Sequence, residues 1–233
     1  MHISSRRPAR RLAVVVTAAA LLGTVLTVAP AAASPTSGSL LSSGIVAEHL
    51  PRVSYNRPSL VGPEFSTHDL APKPTGTLSL RTTSGEVLES KQIRGKDSLP
   101  LPTSRVGTFT LELHYGGDEA WAPSYDRFTY TVTKARATTT YKIVKAPSTR
   151  SRGQALVRVR AAWSTPGGTV RVLLKKKGQK SRKSTARTLR DGSVVINLPT
   201  FPVKGSWTIQ ARYPGSSVLK PDNTRVHALK VIR

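Results

Sequence analysis

The densest chemistry in this sequence is cationic. Lys175, Lys176, Lys177, Lys180, Arg182 and Lys183 fall within a stretch broken only by Gly178, Gln179 and Ser181, and Arg187 and Arg190 follow closely. Side chains that stay protonated at neutral pH attract phosphate, sulfate and carboxylate groups. Two readings of the run stand side by side. A solvated loop that keeps the chain in solution is the common fate of an isolated lysine run. A polyanion-binding surface is the other, and Arg158, Arg160, Arg171 and Arg212, on outward positions of strand-like segments, extend the excess beyond the run.

The charge is lopsided along the chain. The formal net charge is +24, from 36 Lys and Arg against 12 Asp and Glu. Residues 34–134 hold ten of each sign, whereas residues 135–233 hold 22 Lys and Arg against Asp191 and Asp222 alone, a net +20. Two acids leave almost no material for paired-carboxylate catalysis in that half. His49, His68, His114 and His227 are scattered, without the spacing of a zinc helix, and there is no cysteine. Asp118-Glu119 offers too few oxygens for calcium, which takes six or more. Neither a nucleophile elbow nor a phosphate loop is present. The sequence therefore argues against an enzyme, a metal site and a cofactor. Trp163, Trp207 and Tyr213 fall on inward phases and read as packing residues, so any nucleic-acid binding is expected to be non-specific.

The elements that must position these charges come from a stretch that occurs twice. Phe109, Leu111, Leu113 and Tyr115 alternate with polar residues, and so do Trp207, Ile209, Ala211 and Tyr213. Period two means strands with one buried face. Gly116-Gly117 follows the first tyrosine and Pro214-Gly215 the second. Trp121 and Pro123 then match Leu219 and Pro221, at a constant offset of 98 residues. A short strand ending in Tyr, a Gly-containing turn, an apolar residue and a Pro resemble the tail of bacterial Ig-like repeats. The resemblance spans roughly residues 53–233 as two copies, and the second departs from it with Leu219 in place of a tryptophan. It implies β-sandwiches of exported or surface proteins that serve as spacers or adhesive modules, and it carries over no catalytic residue.

The expected fold is all-β: two tandem Ig-like β-sandwich domains, residues 53–134 and 135–233, after an N-terminal signal peptide and a flexible leader at 34–52 in which Leu40–Leu50 fits a short helix. Within them, strands are expected over Val53–Tyr55, Phe65–Leu70, Gly76–Arg81, Val87–Ile93 and Arg127–Thr133, with Asp191-Gly192 as a tight hairpin turn. In the second unit Val157, Val159, Ala161 and Trp163 are expected to face the core. The last strand is irregular. Val226, Ala228 and Ile232 share a face with Lys230, which predicts a one-residue slip or bulge.

Residues 1–33 carry the signal features: Arg6, Arg7, Arg10 and Arg11, an apolar run from Leu12 to Val28, then Ala31-Ala32-Ala33. A membrane anchor is the alternative, but the run is at the short limit for spanning and a small-residue site follows it. The Arg6-Arg7 pair lacks the apolar residues that the twin-arginine route expects just behind it, which favours general secretion. Zero cysteines exclude lipoprotein attachment and leave both sandwiches without a disulfide. The expected protein is secreted, without a membrane-spanning segment after cleavage. It is an envelope-associated binding or adhesive module whose basic half holds anionic polymers such as teichoic acid. Anionic lipid headgroups and extracellular DNA are further candidates, and an inert spacer is the competing reading. The sequence leaves the oligomeric state open.

Overall fold

The computed structural model describes residues 40–66 and 72–232. The signal features at 1–33 lie outside them, as do His68 and most of the strand expected over Phe65–Leu70. The strands are β1 (Ile45–His49), β2 (Arg52–Ser54), β3 (Leu60–Phe65), β4 (Thr77–Thr82), β5 (Val87–Gln92), β6 (Leu99–Pro100), β7 (Gly107–Tyr115) and β8 (Ser124–Thr133). They continue as β9 (Thr138–Lys145), β10 (Gln154–Arg160), β11 (Thr169–Lys175), β12 (Arg182–Lys183), β13 (Arg187–Thr188), β14 (Ser193–Asn197), β15 (Gly205–Tyr213), β16 (Asp222–Asn223) and β17 (His227–Val231). No helix occurs among the described residues.

The strands form two Ig-like β-sandwiches. In the first, the sheet β1-β3-β6 covers the sheet β2-β8-β7-β4-β5; in the second, β14-β10-β9 covers a sheet built on β12-β11-β15-β16, with β13 also on β11 and β17 also on β15. Alternation decides which side chains enter each core. Leu111, Leu113 and Tyr115 are buried from β7, and Trp207, Ile209, Ala211 and Tyr213 from β15. Each tyrosine closes its strand on a hydrogen bond, Tyr115 Oη to Asp118 Oδ2 at 2.8 Å and Tyr213 Oη to the Gly167 carbonyl at 2.8 Å. The turn beyond each uses a left-handed glycine, Gly117 at φ 79° and Gly215 at φ 88°. A Cβ at either would press on the carbonyl of Trp121 or Leu219, so only glycine fits.

Without disulfides, the sheets are tied by packing and by a repeated carboxylate latch. Asp126 Oδ2 accepts the Ala47 amide at 2.8 Å, and Asp222 Oδ2 accepts the Thr139 amide at 2.5 Å. Each latch joins the first strand of a sandwich to a late strand of the facing sheet, β8 in the first sandwich and β16 in the second. A charged acceptor on a strand amide is stronger than a neutral one.

Several expectations are corrected. The segment expected to be a leader is folded from Leu40 onward. Ile45 and Ala47 are buried while Val46 and Glu48 face out, a period-two pattern too short to stand out among the surrounding Ser and Gly. Leu41 exchanges backbone hydrogen bonds with Ala120 and Ala122, as Ala135 does with Val218 and Lys220. The expected helix at Leu40–Leu50 is therefore a strand, and β3, with Gly62 and Pro63 inside it, was not foreseen. Trp163 does not face the core. β10 ends at Arg160, and Trp163 stands 46% exposed with the Arg57 guanidinium 5.7 Å from its ring centroid. Asp191 (φ 48°) and Gly192 (φ 71°) do make a tight turn, closed by Arg190–Ser193 bonds of 2.9 Å in both directions. The strands then part, β13 to one sheet and β14 to the other.

The irregular last strand contains its bulge. Arg212 pairs with Asn223, yet Ile209 pairs with His227, one residue further than a regular ladder would give. Thr224 covers the gap by donating its amide to Ala211 O and accepting the Ala211 amide on Oγ1, both at 3.0 Å. The bulge puts Leu229 and Val231 in the core and leaves Val226 and Ile232 exposed.

Asp118 makes the first sandwich sensitive to acid. Burial pushes its carboxyl up, but the Thr75 amide, the Tyr115 hydroxyl and the Ala120 and Trp121 amides outweigh this and hold its pKa at about 2. A carboxyl depressed from 3.8 stabilises the fold fully above about pH 4, and that contribution is lost as pH falls through about 2. Urea melts of the full chain between pH 5 and 2, followed by tryptophan fluorescence, should show this slope in the wild type. Asp118→Ser, the residue the second sandwich uses at the matching turn, should reduce it. An identical slope in both proteins would assign the acid loss to other groups.

Candidate polyanion-binding surface

The cationic run closes the hairpin from β11 to β12. Leu174 pairs with Arg182 and Leu173 with Lys183, and Ser184 finishes the turn-back by accepting the Val172 amide on Oγ at 2.8 Å. This hairpin enlarges the Ser84-Gly85 turn of the first sandwich, where Arg81 pairs with Val87. The loop does not present all its cations alike. Lys176 Nζ donates to the Lys204 carbonyl at 2.6 Å, and Arg182 Nη1 donates to the Thr200 carbonyl at 2.6 Å. These two spend part of their hydrogen-bonding capacity on the fold. Lys175, Lys177, Lys180, Lys183, Arg187 and Arg190 are exposed.

Lys183 stands between two neighbouring clefts. One, at the sheet edge, has a volume of about 210 Å³ and is lined by Arg152, Lys183 and Arg187 with Ser184, Asn197 and Pro199. The other lies on the outer face of the larger sheet, where Arg171 and Arg212 are direct partners on β11 and β15. Like charges directly opposite on neighbouring strands are destabilising. Arg152, Arg171 and Arg212 therefore belong to the surface although they lie outside the run. Alternation marks Arg171 and Arg212 as outward. What the sequence hides is the register that sets them face to face.

Among the described residues there are three ion pairs: Lys91–Asp97, His114–Glu112 and Arg127–Glu112, all in the first sandwich. Hydrogen bonds from His114 and then Arg127 hold the Glu112 carboxyl below its usual range. The second sandwich repeats the arrangement with the acid removed. At the offset of 98 residues, Gln210 stands for Glu112 and Arg212 for His114, and Arg212 Nε donates to Gln210 Oε1 at 3.0 Å. Ser216 and Ser217 stand for Asp118 and Glu119. Ser216 Oγ accepts the Val218 and Leu219 amides at 3.3 and 3.1 Å, as Asp118 Oδ1 accepts those of Ala120 and Trp121 at 2.9 and 2.8 Å. The turn's amide contacts are kept and the negative charge is gone, while the closing tyrosine turns from Asp118 to the Gly167 carbonyl.

No group of three or more His, Asp or Glu residues converges as a metal site among the described residues. Asp118 is committed to the turn, and His114 is stacked on Tyr125 with centroids 5.1 Å apart. No helix of the described residues is long and apolar enough to cross a membrane.

No protein-family model matches the sequence. No curated protein matches it. Among solved structures, the chain is similar to the chicken interferon gamma receptor alpha chain at 9% identity and a TM-score of 0.43, over 82% of this chain and 98% of that one. It is similar to a tetra-tandem repeat from the extending region of a large adhesion protein at 12% identity and 0.43, over 81% of this chain and 49% of that one. The D0-D1 domain of intimin aligns at 14% identity and 0.27, over 80% and 97%. The sandwich assignment stands on the strand order and registers of the chain itself.

The Arg171–Arg212 contact gives a direct test of uncompensated charge. Arg171→Gln should raise the midpoint of the transition that unfolds the second sandwich by about 2–4 °C at low salt. The gain should shrink in 1 M NaCl, where the Debye length falls to about 3 Å. A loss of stability at low salt would show that the pair is compensated by its surroundings.

Proposed function

We propose that this chain is an exported, non-enzymatic binding protein of the cell envelope, anchored by its second sandwich to an anionic polymer. The units are a signal peptide at 1–33 and two tandem repeats, the second being residues 135–233. Wall teichoic acid, or a similar phosphate-bearing polymer, is the partner class that export favours. One observation carries the reading: the second sandwich reproduces turns and strand contacts of the first with Glu112, Asp118 and Glu119 exchanged for Gln210, Ser216 and Ser217. A need for solubility alone is met by either sign of charge. Removal of acid at conserved geometry raises the potential of one surface in one direction.

The open members of the loop, Lys175, Lys177, Lys180 and Lys183, with Arg187 and Arg190 at the edge, make the polymer contacts. Lysines on a loop bind phosphates as point charges without demanding a fixed partner geometry. Binding is therefore weakly selective and extends to nucleic acid. Lys176 and Arg182 contribute charge while holding the hairpin in place.

The full chain should sediment with purified Gram-positive cell walls at low salt and be released as salt rises, and walls stripped of their phosphate polymers should not retain it. On duplex DNA as a surrogate, log affinity should fall against log salt by about 0.9 per phosphate neutralised. Changing Lys175, Lys177, Lys180, Lys183 and Arg187 together to Gln should flatten that slope by roughly 4. Retention that ignores both salt and stripping would contradict the anionic-polymer reading, and a chain that washes off walls and DNA already at low salt would be left as a spacer.

A further inference from the structure

The outer face of the second sandwich differs from that of the first at one group of matched positions. In the first, Ser79 on β4 pairs with His114 on β7, and His114 pairs with Tyr125 on β8. The Tyr125 ring lies on the His114 ring, inclined by only 14°, and His114 Nε2 meets Glu112 Oε2 at 3.0 Å. That face is covered and neutralised. In the second, Arg171 pairs with Arg212 and Arg212 pairs with Asn223. Asn223 stands at the offset of 98 from Tyr125, so the covering ring is missing. A cavity of about 270 Å³ lies there, lined by Arg171, Arg212, Lys183 and Asn223, with Leu173, Pro214 and Pro221 as its apolar walls.

We propose that this cavity is a formed binding site for a single phosphate group carried on a small polyol or sugar. Arg171, Arg212 and Lys183 hold the oxyanion, and Leu173, Pro214 and Pro221 receive the carbon skeleton. Gln210 Oε1 takes the Arg212 Nε hydrogen, which leaves the two terminal nitrogens of that guanidinium for the ligand. The planar fork of arginine suits two oxygens of one phosphate. Three cations and a neutral amide, with no carboxylate lining the cavity, favour a dianion over a carboxylate. An anion between Arg171 and Arg212 also relieves the repulsion of these directly paired cations, which adds to the driving force for binding. The volume sits just below the range of drug-sized pockets, which matches a phosphate with a short carbon body. Asp222, the acid next to Asn223, is committed to the Thr139 amide in the facing sheet.

The site deepens the anionic-polymer reading and rests on it only for the claim that the phosphate unit belongs to a polymer. The probe is glycerol 3-phosphate, titrated into the full chain in 150 mM salt and followed by NMR of arginine side chains; glycerol and inorganic phosphate are the controls. Saturable shifts confined to Arg171, Arg212 and their neighbours are expected. Inorganic phosphate should bind more weakly and glycerol should not bind. Asn223→Tyr restores the covering ring without changing the charge. It should weaken glycerol 3-phosphate at least tenfold while the salt-dependent binding of long polyphosphate persists. Arg171→Ser, the residue of the first sandwich, should do the same to the small ligand without loss of thermal stability. Absence of saturable shifts in the wild type, or full glycerol 3-phosphate binding by Asn223→Tyr with its melting transition intact, would overturn the site. A chain that binds the small phosphate yet washes off intact walls would keep the site and refute the anchoring role.

Discussion

Repulsion among unpaired cations is the constraint that the second sandwich has to satisfy. Residues 135–233 carry a net +20, and none of the described ion pairs lies there. Without a disulfide, cohesion must come from apolar burial and backbone pairing. Trp207, Tyr213 and Phe201 are each almost fully buried, and the Trp207 indole donates to the Val203 carbonyl at 3.1 Å. Aromatic side chains of this size dominate the apolar burial that offsets self-repulsion.

The two remaining acids show where negative charge is still used. Asp222 latches the facing sheet through the Thr139 amide, as Asp126 does through Ala47. Asp191 occupies a left-handed turn position at φ 48°, a conformation that aspartate and asparagine accept more readily than other side chains. At the positions of Glu112 and Asp118, neutral Gln210 and Ser216 maintain hydrogen bonds of the same kind, and the acid is absent. The second sandwich thus keeps a carboxylate where it latches the facing sheet and uses neutral acceptors at the turn and on the strand where the first sandwich uses acids.

Much of the architecture could be read from the sequence because period-two alternation and a constant offset both report on strands. Leu111, Leu113 and Tyr115 announce β7, and their echo announces β15. The bulge between β16 and β17 was visible as a broken phase at Val226–Lys230. Trp163 was misread because alternation continues past Arg160, where pairing with β9 stops. Ile45–His49 was missed because a five-residue strand beside Ser and Gly carries too little pattern. For the candidate surface, the lysine loop was legible from composition. The juxtaposition of Arg171 with Arg212, and the space above them, depends on the register between β11 and β15 and on Asn223 standing where the other sandwich has Tyr125. Those are relations between segments distant in sequence.

The picture that results is one scaffold used twice with different electrostatic surfaces, neutral first and strongly basic second, joined through Tyr55, which packs against both cores. Under the proposed function, long-range attraction gathers a polyanion onto the second sandwich, and the loop and sheet face hold it. Hydrogen-exchange mapping of the full chain with and without a long polyphosphate tests this most directly. The account predicts changes confined to the β11–β12 loop, β13 and the outer faces of β11 and β15, with the first sandwich unaffected. A footprint spread evenly over both sandwiches, or centred on the first, would contradict it.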